Sequence, residues 1–304
     1  MNAIGTGRPG LLTFDDSLEL ARAVARRLDV EVTPIEVHRF PDGESLVRAP
    51  RPGAEHVLII RSLDDPNHKL LEVLFAADAL RRQGVASVGL VAPYLGYMRQ
   101  DRVFQPGEPI SQRVVAGLLD TAFDSLLTVE AHLHRIARLS EIFRADALSI
   151  SAALPVADWL RTQPPIDLVI GPDAESEPWI REIAERAKLE WTLGTKTRHS
   201  DHDVRIDLPE LPAGIRRAFI VDDIASSGGT LEALVRLLKQ RGVAQVGAVV
   251  VHPLFAPDTQ ARLREAGLDQ LVSADGIAHE TNAIGLAPLL AHTILERFQT
   301  TADS

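Results

Sequence analysis

Asp222 and Asp223 stand directly before a run of small residues, Ile224-Ala225-Ser226-Ser227-Gly228-Gly229-Thr230. The residues before them, 217–221, read as a buried strand, and apolar residues at 231, 234, 235 and 238 repeat at helical spacing. Residues 222–230 are therefore expected to form the turn at a strand's carboxyl end, where open α/β sheets bind ligands. Gly228 and Gly229 can take positive φ, and without a Cβ they let backbone amides close on a phosphate at the start of the next helix. Ser226, Ser227 and Thr230 add hydroxyl donors. The two carboxylates would repel a phosphate but suit ribose hydroxyls or Mg²⁺. An ordinary capped turn needs only one hydroxyl or carboxyl group.

Other groups capable of chemistry lie along the chain. Arg99, with Gln100 and Asp101, follows an apolar run at 88–92, and its guanidinium offers a fork of donors for a polyphosphate. Taken alone, Arg99 reads as a surface partner of Asp101. Phe40-Pro41-Asp42-Gly43-Glu44 pairs an aromatic ring with two carboxylates able to accept from an exocyclic amine, although Asp42-Gly43 alone reads as a simple turn. His132 and His134 follow a run at 126–129, and Asp173 follows one at 168–170. Lys196-Thr197-Arg198 opens a polar stretch, 195–203, that alone reads as a solvated hairpin before an alternating strand at 204–208. His199, His202 and Asp203 imitate a metal cluster and receive no role. Gly5, Gly7 and Gly10 spell a G-x-G-x-x-G pattern, but no strand precedes it and Pro9 interrupts it, so dinucleotide binding is discarded.

These residues need a scaffold, and the hydrophobic pattern supplies one. Short runs rich in Val, Ile and Leu at 57–60, 88–92, 126–129, 168–170, 218–221 and 246–251 alternate with amphipathic stretches at 17–28, 68–83, 110–121, 152–161, 177–188 and 230–241. That alternation is the mark of an α/β fold with mostly parallel sheets flanked by helices. Residues 80–91 align without gaps to 238–249, with seven identities at an offset of 158. Two similar domains are expected, 1–147 and 148–304. With 304 residues, 45% hydrophobic and 24% charged, the chain has ordinary globular composition. It contains no cysteine, which excludes disulfides and thiolate metal sites. A formal net charge of -10 argues against nucleic-acid binding. No leader pattern or membrane span is evident, so a cytoplasmic protein is expected.

The strand, two acids and Gly-Thr loop at 221–230 resemble the phosphoribosyl diphosphate (PRPP) motif shared by type I phosphoribosyltransferases and ribose-phosphate pyrophosphokinases. Pro93-Tyr94-Leu95-Gly96-Tyr97-Met98-Arg99-Gln100-Asp101 with Pro109-Ile110-Ser111 is similar to a pyrophosphokinase segment that the transferases lack. The resemblance implies a Mg²⁺-dependent enzyme using ATP and ribose 5-phosphate. It assigns Phe40, Asp42, Gly43, Glu44, Arg99, Gln100 and Asp101 to ATP, with residues 40–44 supplied by a neighbouring subunit. It assigns Asp222, Asp223, Ser226, Ser227, Gly228, Gly229, Thr230 and Arg198 to ribose 5-phosphate, and His132 and Asp173 to the metal. Lys196 and Arg198 match a flap that neutralises the transferred diphosphate. A homo-oligomer follows, a dimer at least, in a family commonly hexameric. Glu130 replaces the usual Asp, Glu175 and Ser176 replace two glycines, and Ser226 replaces an Asp found in many bacterial and animal members; Lys196-Thr197-Arg198 and Ser226 resemble the archaeal-type branch and put control by phosphate and ADP in doubt. A phosphoribosyltransferase and a noncatalytic regulatory paralogue remain as alternatives.

Overall fold

A computed structural model describes residues 8–133, 135–198 and 204–300 of the protein. In chain order it runs β1 (Gly10–Thr13), α1 (Leu18–Leu28), β2 (Val32–Pro34), β3 (Glu36–Arg39), β4 (Ser45–Arg48), β5 (His56–Ile60), α2 (Pro66–Arg82), β6 (Ser87–Val91), α3 (Ser111–Leu119), β7 (Ser125–Val129) and β8 (Asp146–Ile150). It continues through α4 (Ala153–Arg161), β9 (Leu168–Gly171), α5 (Glu177–Ala187), β10 (Trp191–Leu193), β11 (Thr195–Arg198), β12 (Val204–Asp207), β13 (Arg217–Ala225), α6 (Gly229–Gln240), β14 (Gln245–Pro253), α7 (Thr259–Glu265), β15 (Gln270–Ala274), β16 (Asn282–Ile284) and α8 (Ala287–Thr300).

The α/β reading is right. Two six-stranded parallel sheets form, ordered β2-β1-β5-β6-β7-β8 and β10-β9-β13-β14-β15-β16, and each of β3-β4 and β11-β12 makes a separate antiparallel pair. The central strands are apolar along their length because helices cover both faces. In the first sheet Ile59, Leu90 and Leu126 are buried with Leu80 of α2; in the second, Ile170, Ile220 and Val246 are buried with Leu234 and Leu238 of α6. Removing each such side chain from water stabilises by about 1.5–3 kcal/mol.

The chain divides into two compact units, one of residues 1–150, 276–278 and 286–304, the other of 151–275 and 279–285. The contiguous division expected at 147/148 does not describe the chain's last segment. Leu286, Ala287, Leu290, Ala291 and Ile294 are buried, and α8 packs on α1 of the first unit. A helix with that apolar stripe must cover a partner, and α1, buried at Leu20, Ala21 and Val24, provides it.

The repeat is expressed in the backbone. Helices α2 and α6 end 158 residues apart, at Arg82 and Gln240. Each is followed by a glycine of positive φ, Gly84 and Gly242, and then by a central strand. Each half also places a two-stranded hairpin after the second strand of its sheet, β3-β4 after β2 and β11-β12 after β10.

Candidate functional site

Parallel strands put all their carboxyl ends on one edge, so residues scattered in sequence converge there. In the second unit this edge carries Asp173 after β9, Lys196 and Arg198 after β10, and the acidic pair with its small-residue loop on β13. Strand β13 is longer than expected. Asp222 pairs in register with Val250 and Ala225 with Pro253, so the acids belong to the strand and the turn shrinks to residues 226–228. The extension arises because β14 also runs on, through His252 and Pro253, and gives β13 ladder partners. Asp222 Oδ1 accepts from the Asp223 amide at 3.0 Å, and Asp223 Oδ1 from the Ile224 amide at 2.8 Å.

Gly228 has φ +74°, and a Cβ there would lie 2.5 Å from Thr259 Cγ2. The turn thus rests against α7 as well as needing left-handed backbone. Thr259 Oγ1 donates to the Ser226 carbonyl at 3.3 Å, and Arg262 Nη2 donates to the Ser227 carbonyl at 2.5 Å. Arg262 is itself held by Glu232 at 3.0 Å and Asp258 at 3.1 Å. Carbonyls of the turn are thus tied back to α7, and Gly229 and Thr230 open α6, whose first amides have no acceptor within the helix itself. Thr259 and Arg262 were missed in the sequence, where they look like ordinary residues of a short polar helix.

Asp173 caps the short turn after β9. Its Oδ1 accepts from the amides of Glu175 at 3.1 Å and Ser176 at 3.3 Å, and Ser176 Oγ donates back to the Asp173 carbonyl at 2.7 Å. Glu175 and Ser176, where two glycines were expected, are therefore built into a capped turn. Lys196 and Arg198 lie two residues apart on β11, in register with Ile206 and Val204 of β12. His134, His199, His202 and Asp203 lie outside the described residues.

In the first unit, Arg99 and His132 follow the adjacent strands β6 and β7. Tyr94, Leu95 and Met98 are buried, which anchors the segment while Arg99 is exposed. Gly96 allows close approach: a Cβ would stand 2.7 Å from the Leu63 carbonyl. Gln100 accepts from the Ser111 hydroxyl, and Asp101 pairs with Arg135 at 3.4 Å. Glu130 has φ +41°, and its amide donates to Ile150 O at 2.9 Å.

Phe40, Asp42, Gly43 and Glu44 form the loop of the β3-β4 hairpin. The Phe40 amide donates to the Glu44 carbonyl at 2.8 Å, the Gly43 amide to the Phe40 carbonyl at 3.0 Å, and the Glu44 amide to Asp42 Oδ1 at 3.1 Å. The loop is exposed, including the Phe40 ring, which meets His38 edge-on at 4.6 Å between centroids.

A buried ionic cluster at this unit's carboxyl edge was also missed. Arg61 pairs with Asp16 at 3.0 Å and Glu72 at 2.7 Å, and its guanidinium lies 3.9 Å from the Phe14 ring centroid. Lys69 pairs with Asp16 at 3.2 Å and Asp64 at 2.8 Å. Burial is the largest influence on Asp16 and Glu72 and favours their protonated forms, but Arg61, joined by Lys69 at Asp16 and by Arg39 and Ser45 at Glu72, outweighs it and holds both carboxyls below their usual range. One signal was available: Lys69 and Glu72 share the helical stripe of Val73, Ala76 and Leu80.

No group of three or more His, Cys, Asp or Glu able to hold a metal occurs among the described residues. Mg²⁺ is commonly held by one or two carboxylates plus substrate phosphates and water, and the oxygens of Asp173, Asp222 and Asp223 suit such a hard ion. No helix among the described residues is long and apolar enough to cross a membrane.

Comparison with known proteins agrees with this layout. A profile of the N-terminal domain of ribose phosphate pyrophosphokinase matches residues 10–122, and one of the phosphoribosyl transferase domain matches residues 156–268. A ribose-phosphate pyrophosphokinase of Methanopyrus kandleri is 32% identical over 287 residues, covering 93% of this chain and 98% of that protein. Its namesake from Methanothermobacter thermautotrophicus is 32% identical over 278 residues, covering 90% and 96%. The crystal structure of phosphoribosylpyrophosphate synthetase from Mycobacterium smegmatis aligns with TM-score 0.81 and 25% identity, over 97% of this chain and 100% of that one.

Proposed function

Because the chain belongs to the ribose-phosphate pyrophosphokinase family, we propose that it moves the β,γ-diphosphoryl group of ATP to the C1 hydroxyl of ribose 5-phosphate, giving PRPP and AMP. The C1 oxygen bonds to the β-phosphorus, the bond from that phosphorus to the α,β-bridging oxygen breaks, and the hydroxyl proton is released. PRPP feeds nucleotide biosynthesis.

The observation that supports this reading is that each unit carries groups suited to phosphate beyond its strand ends, Arg99 with Gln100 after β6 in one and the Gly228 turn after β13 in the other. A transferase that consumes PRPP needs only the second. In the proposed arrangement Arg99, Gln100 and Asp101 hold ATP, with Phe40, Asp42, Gly43 and Glu44 contributed by another subunit of a homo-oligomer. Ser226 to Thr230 take the 5-phosphate on backbone amides and hydroxyls, and Asp222 and Asp223 take the ribose hydroxyls. Mg²⁺, served by His132, Asp173 and the acidic pair, neutralises phosphate charge when bound. Lys196 and Arg198 stabilise charge on the diphosphoryl group in the transition state. No general base is assigned, so positioning and charge neutralisation carry the rate. The enzyme acts in the cytoplasm under this reading.

Incubation with ATP, Mg²⁺ and ribose 5-phosphate should yield AMP and PRPP in equal amounts. Neither product across several metals and phosphate concentrations would refute the proposal, and nucleotide formation from PRPP without ATP would favour a phosphoribosyltransferase.

A further inference from the structure

Glu72 has no access to solvent, yet it reaches the stems of an exposed hairpin loop to which nucleotide binding is assigned. Its Oε1 accepts from Arg39 Nε at 3.2 Å and from Ser45 Oγ at 3.1 Å. Arg39 is the last residue of β3 and Ser45 the first of β4. A single carboxylate therefore grips both stems of the loop at residues 40–44, immediately outside its first and last residues.

The hairpin needs such a grip. Its sheet contains only β3 and β4, and a two-stranded hairpin, marginal alone in water, depends on what it packs against: Val37 and Val47 rest on the unit's core and β4 lies along α2, while the loop end stands clear and exposed. The hydrogen bonds inside the loop set its shape but not its direction from the rest of the unit. Glu72 can set that direction because it is itself immobilised: it sits within α2, and Arg61, with its side chain only 3% exposed, lies 2.7 Å from its Oε2. Arg61 is clamped in turn by Asp16 and the Phe14 ring, and Lys69 bridges Asp16 to Asp64.

The charges of this cluster balance, Arg39, Arg61 and Lys69 against Asp16, Asp64 and Glu72. It occupies the carboxyl ends of β1 and β5, which correspond in sheet order to β9 and β13 of the other unit, where the ligand loop lies. A self-neutralised cluster leaves no net charge to attract a phosphate. The same edge that presents backbone amides in one unit is closed by ion pairs in the other, and the closure is connected to the hairpin.

We propose that Glu72 is a positioning residue for the nucleotide: through Arg39 and Ser45 it aims the loop bearing Phe40, Asp42 and Glu44, so its loss weakens ATP binding selectively. This rests on the diphosphokinase reading and on the nucleotide role of that loop.

Steady-state kinetics with ATP and ribose 5-phosphate varied separately test it. Glu72→Gln keeps the shape and removes the charge; Ser45→Ala removes one arm without stranding a buried charge. Charge-assisted bonds are the stronger, so KM for ATP should rise about tenfold in E72Q and about threefold in S45A, while KM for ribose 5-phosphate stays within about twofold. Equal rises for both substrates, or an unchanged KM for ATP in folded E72Q, would overturn the proposal, because a merely structural role lowers stability without splitting the two constants. If E72Q does not fold, S45A decides by the same split. An inactive wild-type protein removes the diphosphokinase reading and this proposal with it; an active one lacking the split removes this proposal alone.

Discussion

Glu72 and His279 are ionisable groups drawn away from water, and the structure treats them oppositely. Glu72 keeps its charge because Arg61 and Arg39 surround it. His279, in the turn between β15 and β16, is held neutral. The Thr281 amide donates to its Nδ1 at 3.2 Å and Thr281 Oγ1 lies 2.7 Å from the same atom, so Nδ1 is an acceptor and the ring proton sits on Nε2. Burial lowers the His279 pKa below its ordinary 6.5, with Glu280 opposing weakly. A lowered histidine pKa means the unfolded chain binds the proton more readily, so His279 contributes stability that is full above pH 6.5 and is lost as pH falls through the folded value. Thermal unfolding between pH 7.5 and 5 should show a decline in midpoint that is smaller in His279→Asn. An identical decline in both proteins would refute this account.

Among the elements, the β13–α6 turn owes its shape to a neighbour. Gly228 satisfies two demands, the positive φ that starts α6 and the space occupied by Thr259 of α7. Either demand alone disfavours a side chain; left-handed backbone costs a non-glycine residue about 1–2 kcal/mol. Under the proposed assignment of this turn to the sugar phosphate, Gly228→Ala should therefore raise KM for ribose 5-phosphate by at least about tenfold with little change in KM for ATP. Equilibrium binding of ribose 5-phosphate measures the loss directly, and unaltered binding would show that the turn tolerates the methyl group. This turn was legible in the sequence as a strand-to-helix turn at a carboxyl edge, since acids followed by small residues have few structural explanations. Its backing was not legible, because Thr259 and Arg262 lie in a helix with no pattern that distinguishes a bond to a turn carbonyl from a bond to water. The hairpin at residues 40–44 was readable only as a motif by resemblance, and nothing local indicated the carboxylate that holds its stems.

The whole molecule repeats one plan twice. Both sheets have the same order, both halves insert a hairpin after the second strand, and in each unit a further helix packs on the first crossover helix, α4 on α5 and α8 on α1. The difference lies in where the further helix comes from. Helix α4 directly precedes its own sheet, whereas α8 reaches the first unit from the chain's end. A fragment of residues 151–285 should accordingly fold cooperatively, while residues 1–150 should aggregate or remain molten. Burial of Leu290 and Ile294 against the first unit is worth about 1.5–3 kcal/mol each, a large share of a domain's net stability. Circular dichroism melts of the two fragments check this, and a cooperative transition in residues 1–150 alone would contradict it.

Sequence alone determined the class of fold, the duplication and most residues at the carboxyl edges, because strand periodicity, glycine freedom and the chemistry of adjacent acids act over a few residues and leave a local trace. Tertiary structure alone decided how far β13 extends, which carbonyls α7 holds, why Glu72 remains ionised and which unit receives α8. Those outcomes depend on partners well separated in the chain, such as α1 for α8 and Arg61 and Arg39 for Glu72, and whether a side chain is buried or paired is settled only when both partners are in place.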